Sequence, residues 1–442
     1  MAMDLSEASA VGLGWDIRSI GDVCLRVTSG GTPSRRTSDF YSGRWPWVKT
    51  QELKDGWLTD TEEHITDDAV RCSSAKVLPS NTILLAMYGA TVGKLGLVAR
   101  EMTCNQACCA LVVDDRQADY RFVYYLLLNA RSKLTSLAVG AAQQNLSGTT
   151  IKSLRFAFPP LHQQRAIASV LRALDDKIEL NRKVSATLEA MARALFKSWF
   201  VDFDPVRAKV EGCDSGLPPE IAALFPSHFL KSTELGESPA GWNLQRICDI
   251  ASASRLMVSP LDHADEDFDH YSIPAFDTSR VALIEAAKTI KSSKFIVPQG
   301  AVLLSRLNPR LPRVWMSRST GPRRAICSTE FAVMSPRIGS TEWLYCLFSS
   351  DAFFERFAAM VTGTSGSHQR VKPESLLAML TVVPPEPIAK AFTDAVAPLL
   401  SRVAHNEGES ATLTAIRDAL LPKLISGDVR VHDAERVLEQ SA

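Results

Sequence analysis

Gly89-Ala90-Thr91-Val92-Gly93-Lys94 has the residue types of a phosphate-cradling loop, with glycines that let backbone amides approach and a lysine to meet the charge. The loop is one residue short, and Leu95 stands where a Ser or Thr would hold magnesium, so a glycine-rich turn beside a strand is expected instead. Glu52-Leu53-Lys54 supplies the E-x-K half of a nuclease metal site, but no suitably placed Pro-Asp precedes it. Asn308-Pro309-Arg310-Leu311 opens like the Asn-Pro-Pro-aromatic motif of adenine methyltransferases. It lacks the second proline and the aromatic ring that would stack on an extruded base. Cys104, Cys108 and Cys109 form the tightest group among nine cysteines, with no CxxC and no adjacent histidine. Buried thiols in a reducing cytoplasm are expected, not a zinc site. With no nucleophile elbow, HExxH or GxGxxG either, the sequence predicts no catalytic centre and no bound metal.

A different chemistry is better supplied. Reading a base edge needs amides, which pair with adenine, and guanidinium groups, which pair with guanine, projected from strands or loops. In the first half of the chain the candidates are Lys49, Thr50 and Gln51, the turn carrying Tyr88, Thr91 and Lys94, then Asn105, Gln106, Gln143, Gln144 and Asn145. In the second half they are Arg306, Asn308, Arg310, Arg313, Arg323, Arg324, His368, Gln369 and Arg370. The alternative for each residue singly is a helix cap or a satisfied turn. Basic and acidic residues balance at 49 each, which is unusual for a nucleic-acid binder, but the local field matters more than the total. From Lys288 to Arg324 there is no acidic residue, and this stretch is expected to face an anionic partner.

The elements that must position these residues are written twice. Gly14-Trp15 returns as Gly241-Trp242, Pro159-Pro160 as Pro384-Pro385, and Ser185-Ala186-Thr187-Leu188 as Ser410-Ala411-Thr412-Leu413. From Gln144 and Gln369 onward the copies run at a constant offset of 225 residues, too long for a solenoid and the mark of a duplication at the scale of a domain. Each copy runs short β-like segments such as Thr82–Tyr88, Cys109–Val113 and Val302–Leu307 with helical pieces near Phe122–Leu134 and Trp343–Phe357. A Pro-Pro pair then opens a long helix. Heptad steps through Ile167, Leu174, Asn181, Leu188 and Leu195, and through Phe392, Leu399, Asn406, Leu413 and Leu420, predict coiled-coil seams, widened by Val184 and Met191 among others. In an antiparallel pair Asn181 would face Asn406, fixing register at a cost in stability; the alternative is that both amides touch solvent. Pro398 weakens the second helix locally. The expected fold is α+β: two β-rich recognition domains (1–158 and 241–383), two long antiparallel helices (159–200 and 384–426) as a spacer, a linker (201–240) and a tail (427–442). No membrane span and no export signal are expected: no run of about 18 apolar residues occurs, and MAMDLSEASAVGLGW lacks a basic region followed by an apolar one.

These residues resemble the specificity subunit of type I restriction–modification systems over essentially the whole length. The carriers are the repeated Gly-Trp starts, the helix opening from Pro159 through Gln163-Gln164-Arg165-Ala166-Ile167, the stretch from Ile178 to Phe203, and the connector from Phe203-Asp204-Pro205 to Pro218-Pro219-Glu220. The second helix departs from the pattern at Pro385-Glu386-Pro387. The resemblance implies a cytoplasmic host-defence protein that binds double-stranded DNA and reads an asymmetric two-part site. It implies docking of two adenine methyltransferase subunits and an ATP-dependent motor-nuclease subunit. S-adenosylmethionine, ATP and magnesium would sit on those partners, with no cofactor in this chain. Two other classes stay open on the residues alone: an enzyme with an unfamiliar site, and a scaffold that joins two protein-binding domains through the helices.

Overall fold

The computed structural model describes residues 13–139, 145–231, 236–318, 321–361 and 369–441. The chain forms two compact units, Met1–Lys177 with Leu413–Ala442, and Ile178–Thr412. Two long helices, Leu161–Phe200 and Glu386–Ser426, each contribute to both. The second helix is continuous through Pro398, whose ring is exposed.

In the first unit a five-stranded sheet has the order Cys24–Ser29, Cys108–Val113, Ile83–Ala86, Leu95–Val98, Gly56–Leu58. A three-stranded sheet of His64–Ile65, Trp45–Val48 and Thr103–Cys104 lies beside it in sequence. Strand Asp16–Ser19 pairs antiparallel with Arg155–Phe158, so the β-rich fold closes at the residue before Pro159. The central strands are buried on both faces, which is why Ile83-Leu84-Leu85-Ala86 reads as a continuous apolar run and not as an alternation. Helix Tyr120–Asn129 is capped by Asp119, whose carboxylate accepts from Arg121 and Phe122 backbone N–H groups. Its buried face, with Phe122 and Leu126, shares one core with Ile167, Leu171 and Leu174 of the first long helix and Leu421, Leu424 and Ile425 of the second. The start of the first long helix is tied in by Gln164, which is buried; its amide donates to Pro159 O at 2.8 Å and accepts from Asp119 N at 3.0 Å.

The second unit repeats the plan with different sheets. Asn243–Arg246 pairs with Leu380–Val383, the counterpart of the closing pair above. A four-stranded sheet runs Ala251–Ser254, Phe331–Pro336, Val302–Ser305, Val314–Met316. A five-stranded one runs Met257–Val258, Lys294–Ile296, Ala325–Cys327, Asp267–Tyr271, Leu283–Ala286. Ser340 caps helix Thr341–Ser349 as Asp119 caps its counterpart, and Trp343 packs with Phe196, Phe200 and Phe392 of the long helices. At the second helix opening Ala389 stands where the first has Gln164, so the amide link is missing; Thr393 and Ser340 hydroxyls meet there at 2.8 Å.

Two expectations about the helices need correction. Val184 and Met191 do not widen the seam; they are exposed, while Glu189, Ala192, Phe196 and Trp199 are buried. A straight helix drifts about 20° per heptad, so over several heptads the buried stripe rotates away from a strict seven-residue repeat. Nor do the asparagines pair with each other. Asn181 donates to Glu409 Oε2 at 2.7 Å and Ser410 Oγ at 3.3 Å, and Asn406 donates to Ser185 Oγ at 3.3 Å. Each amide meets the serine one turn beyond the opposing asparagine. Leu174 is buried, whereas Leu188, Leu399 and Leu413 are half-buried.

Candidate nucleic-acid interface

In the first unit the chain leaves strand Ile83–Ala86 into the turn from Tyr88 to Lys94, with Gly89 at φ 68° and Gly93 at φ 81°. A side chain at either would be strained. The turn amides bond inward: Val92 N to Gly89 O at 3.1 Å, Gly93 N to Ala86 O at 3.0 Å, Lys94 N to Thr91 O at 2.9 Å. These three amides are thus occupied inside the fold and are not free to line a phosphate cradle. Thr91 Oγ1 donates to Tyr88 O at 3.4 Å, and Lys94 Nζ pairs with Asp55 at 3.0 Å. Asn145 forms an isolated antiparallel bridge with Tyr88, and Leu146 N donates to Met87 O at 2.9 Å. Two segments singled out separately in the sequence therefore meet, and Tyr88 and Asn145 are both exposed. Gln143 and Gln144 lie outside the described residues.

The second unit makes the same junction. Leu307 bridges Arg370, Asn308 N donates to Gln369 O at 2.9 Å, and Val371 N donates to Arg306 O at 3.1 Å. Asn308 has φ 48°, left-handed backbone that asparagine tolerates better than most residues. Arg370 forms a two-pronged pair with Glu330 at 2.9 and 2.7 Å, which holds the Glu330 carboxyl below its usual range. Arg306 Nη2 donates to Thr329 O at 2.6 Å. His368 lies outside the described residues.

A second group assembles in the first unit, because Val48 pairs in parallel with Cys104 and Asn105 N donates to Val48 O at 2.9 Å. This sets Lys49, Thr50 and Gln51 next to Asn105 and Gln106. Lys49 Nζ is held between Glu62 at 2.8 Å and Glu63 at 2.9 Å. Asn105 Oδ1 accepts from Ala107 N at 3.1 Å, and Gln106 bonds Thr32. Gln51 and Gln106 are the exposed members. Glu52 of the E-x-K triplet accepts from Lys49 N at 2.7 Å and Glu62 N at 2.9 Å, so both its oxygens cap backbone.

The stretch without acids is not a surface without acids. Arg313 is buried in a two-pronged pair with Asp277 at 2.6 and 2.8 Å. Arg323 pairs with Asp269 at 2.7 Å and Arg324 with Glu266 at 2.8 Å. The neutralising carboxylates come from strand Asp267–Tyr271 and its surroundings, ahead of the acid-free stretch in the chain. Lys288, Lys291 and Arg310 are exposed and pair with no carboxylate among the described residues.

One group of polar residues carried no local signal. Thr28, Ser29, Thr149 and Lys152 line a cleft of about 970 Å³ together with Tyr88 and Asn145. They come from a strand edge and a short helix more than a hundred residues apart, so only the fold unites them. Among the described residues no group of His, Cys, Asp or Glu is placed to hold a metal ion, and no helix is long and apolar enough to cross a membrane. Cys104, Cys108 and Cys109 are buried, and burial pushes the Cys109 thiol up to about 12.

Two β-rich units, each joining an amide-bearing segment to a strand-end turn and each built onto the same pair of long helices, define a duplicated recognition protein. Residues 13–190 match the family described as "Type I restriction modification DNA specificity domain". The chain is similar to the MjaIX specificity subunit of Methanocaldococcus jannaschii, 26% identical over 95% of this chain and 94% of that one. It is also similar to the HindI specificity subunit of Haemophilus influenzae, 23% identical over 70% and 77%. The fold matches the crystal structure of the type I system S subunit from M. genitalium with TM-score 0.54 at 16% identity, covering 93% of this chain and 96% of that one. Residues 13–190 thus carry the type I restriction–modification DNA specificity domain, and the chain as a whole is similar to type I specificity subunits.

Proposed function

We propose that this chain is the non-catalytic reader of a type I complex, and that its two units read the two unlike halves of an asymmetric, bipartite DNA site. The observation that supports this most is the repeated junction: Tyr88 with Asn145 in one unit, Leu307 with Arg370 in the other, the same backbone pairing carrying different side chains. Lysines and arginines at the surface contact phosphate and set position, while amides and guanidinium groups choose bases. Two methyltransferase subunits and an ATP-dependent motor-nuclease dock on this chain and bring S-adenosylmethionine, ATP and magnesium with them. DNA as the target makes the cytoplasm the expected compartment.

The test is to assemble the chain with its methyltransferase partners and map methylation on a library of sites. Asn145→Ala and Gln369→Ala are each expected to relax one half-site, and different ones, by about 10- to 100-fold in discrimination, the range of one good base contact. Equal weakening on all sequences would make these residues scaffold. Methylation or cleavage by the purified chain alone, given magnesium and S-adenosylmethionine, would overturn the non-catalytic reading.

A further inference from the structure

Within the second unit, the β-rich fold meets the long helices on two sides of unlike character. One side is dry: Trp343 lies 6.4 Å from both Phe196 and Phe200 between ring centroids, and Phe392 packs on the same pair. The other side is polar and incompletely filled. Glu189, buried on the first long helix, accepts from Arg280 Nη1 at 2.7 Å and from the Tyr345 hydroxyl at 3.2 Å. Arg318 Nη2 reaches Leu400 O on the second long helix at 2.6 Å. Between these bonds lies a cavity of about 330 Å³, walled by Phe276, Trp315, Val403 and Glu407.

Close packing fixes distances to a fraction of an ångström, and a cavity removes that constraint. On the dry side the aromatic contacts hold the fold to the helices, so on the cavity side the bonds from Arg280 and Arg318 set how far the two stand apart. Arg280 is shaped for that task. Its backbone is left-handed at φ 55°, a conformation a non-glycine residue keeps only where its surroundings hold it, and its guanidinium lies over the Phe276 ring at 5.1 Å. The first unit solves the same problem differently. There Tyr125 donates to Asp175 at 2.7 Å, but the arginine that completes the carboxylate, Arg417 at 2.8 Å, comes from the other long helix. In the second unit the recognition fold supplies the nearer cation, Arg280 at 2.7 Å, while Arg193 of the same long helix stands at 3.8 Å from the other carboxylate oxygen.

We propose that Arg280, Glu189 and Tyr345 form a positioning clamp that fixes the angle of the second recognition fold on the helices, and so the base-pair spacing at which its half-site is accepted. The proposal rests on the bipartite reading above. The clamp touches no base; it acts through the placement of the residues that do.

The experiment uses the assembled methyltransferase complex and a set of DNA sites whose spacer is one base pair longer or shorter than the preferred one. Arg280→Ala is expected to raise relative kcat/KM on the shifted sites at least tenfold while mismatch discrimination in the first unit's half-site is unchanged. Arg280→Lys, which keeps the cation, should restore most of the spacing selectivity. A purely structural role would lower activity on all sites and would not shift the spacing preference. Unchanged spacing selectivity in folded Arg280→Ala complex, or uniform loss at both half-sites, overturns the clamp. If Arg280→Ala does not fold, Tyr345→Phe decides: relaxed spacing supports the clamp and unaltered spacing overturns it. A parent complex that methylates no bipartite site overturns the bipartite reading and the clamp together, whereas failure of the variants alone overturns only the clamp.

Discussion

Asn181 on the first long helix donates to Ser410 on the second at 3.3 Å, and Asn406 donates back to Ser185 at the same distance. The offset from Asn181 to Asn406 equals that from Ser185 to Ser410, so the duplication is written into one reciprocal pair of hydrogen bonds. The symmetry is incomplete. Asn181 also donates to Glu409, whereas Asn406 Oδ1 is buried with no hydrogen-bond partner among the described residues. An unmade buried hydrogen bond costs about 1–3 kcal/mol, so the two asparagines contribute unequally to stability.

Asn406→Leu should therefore stabilise the chain by about 1 kcal/mol in urea unfolding, since it replaces an orphaned amide oxygen by apolar surface. Asn181→Leu should not, because it removes two hydrogen bonds from the Asn181 amide, to Glu409 and Ser410. Equal effects of the two substitutions would show that the asparagines are interchangeable and that the orphaned oxygen carries no cost.

Charges in the stretch from Lys288 to Arg324 divide into two kinds, which substitution should separate. Arg313→Ala breaks the pair between buried Arg313 and exposed Asp277 and should cost about 1–2 kcal/mol of stability, followed by tryptophan fluorescence. Arg310→Ala should leave stability within about 0.5 kcal/mol and reduce the slope of log K against log salt for DNA binding by about one. The reverse assignment would mean that Arg313 leaves its pair to meet phosphate.

That division explains what the sequence could and could not reveal. Pro-Pro starts, matching heptads and the paired Gly-Trp residues are local patterns, so the duplication and both long helices are legible without coordinates. The neutralisation of Arg313, Arg323 and Arg324 by Asp277, Asp269 and Glu266 is not, because strand pairing brings those carboxylates from 36 to 58 residues away. The junction of Tyr88 with Asn145 was half legible: both segments stood out by composition, but their contact depends on a single bridge. The exposure of Val184 and Met191 follows from the drift of a straight helix against a seven-residue repeat, which counting by sevens conceals.

Glu407 gives the second unit a pH dependence of definite sign. Burial pushes its carboxyl up to about 7, aided by the charge of Glu189 and opposed by Arg280 and Arg318. A carboxyl raised above its unfolded value of 4.5 favours the native state fully below that pH. The contribution is lost as pH rises through about 7. Glu407→Gln should flatten the fall in stability between about pH 5 and 8 and raise stability at pH 8 by about 1–2 kcal/mol, since partial exposure screens the full shift. Parallel pH profiles for parent and variant would show that the carboxyl ionises without cost.

Helix length gives the most direct test of the spacing role. The two long helices have 40 and 41 residues. One heptad at a rise of about 1.5 Å per residue is about 10.5 Å, close to three base pairs at about 3.4 Å each. Deleting one heptad from each helix at facing positions keeps the buried stripe on nearly the same side while shortening the pair. If the helices set the unread spacer, methylation mapping of the assembled complex should find a preferred spacer about three base pairs shorter with both half-site sequences unchanged. A spacer that stays the same would separate helix length from spacing. Loss of one half-site only would place the effect in the seating of a recognition fold on its stretch of helix, the step at which Arg280 and Glu189 act.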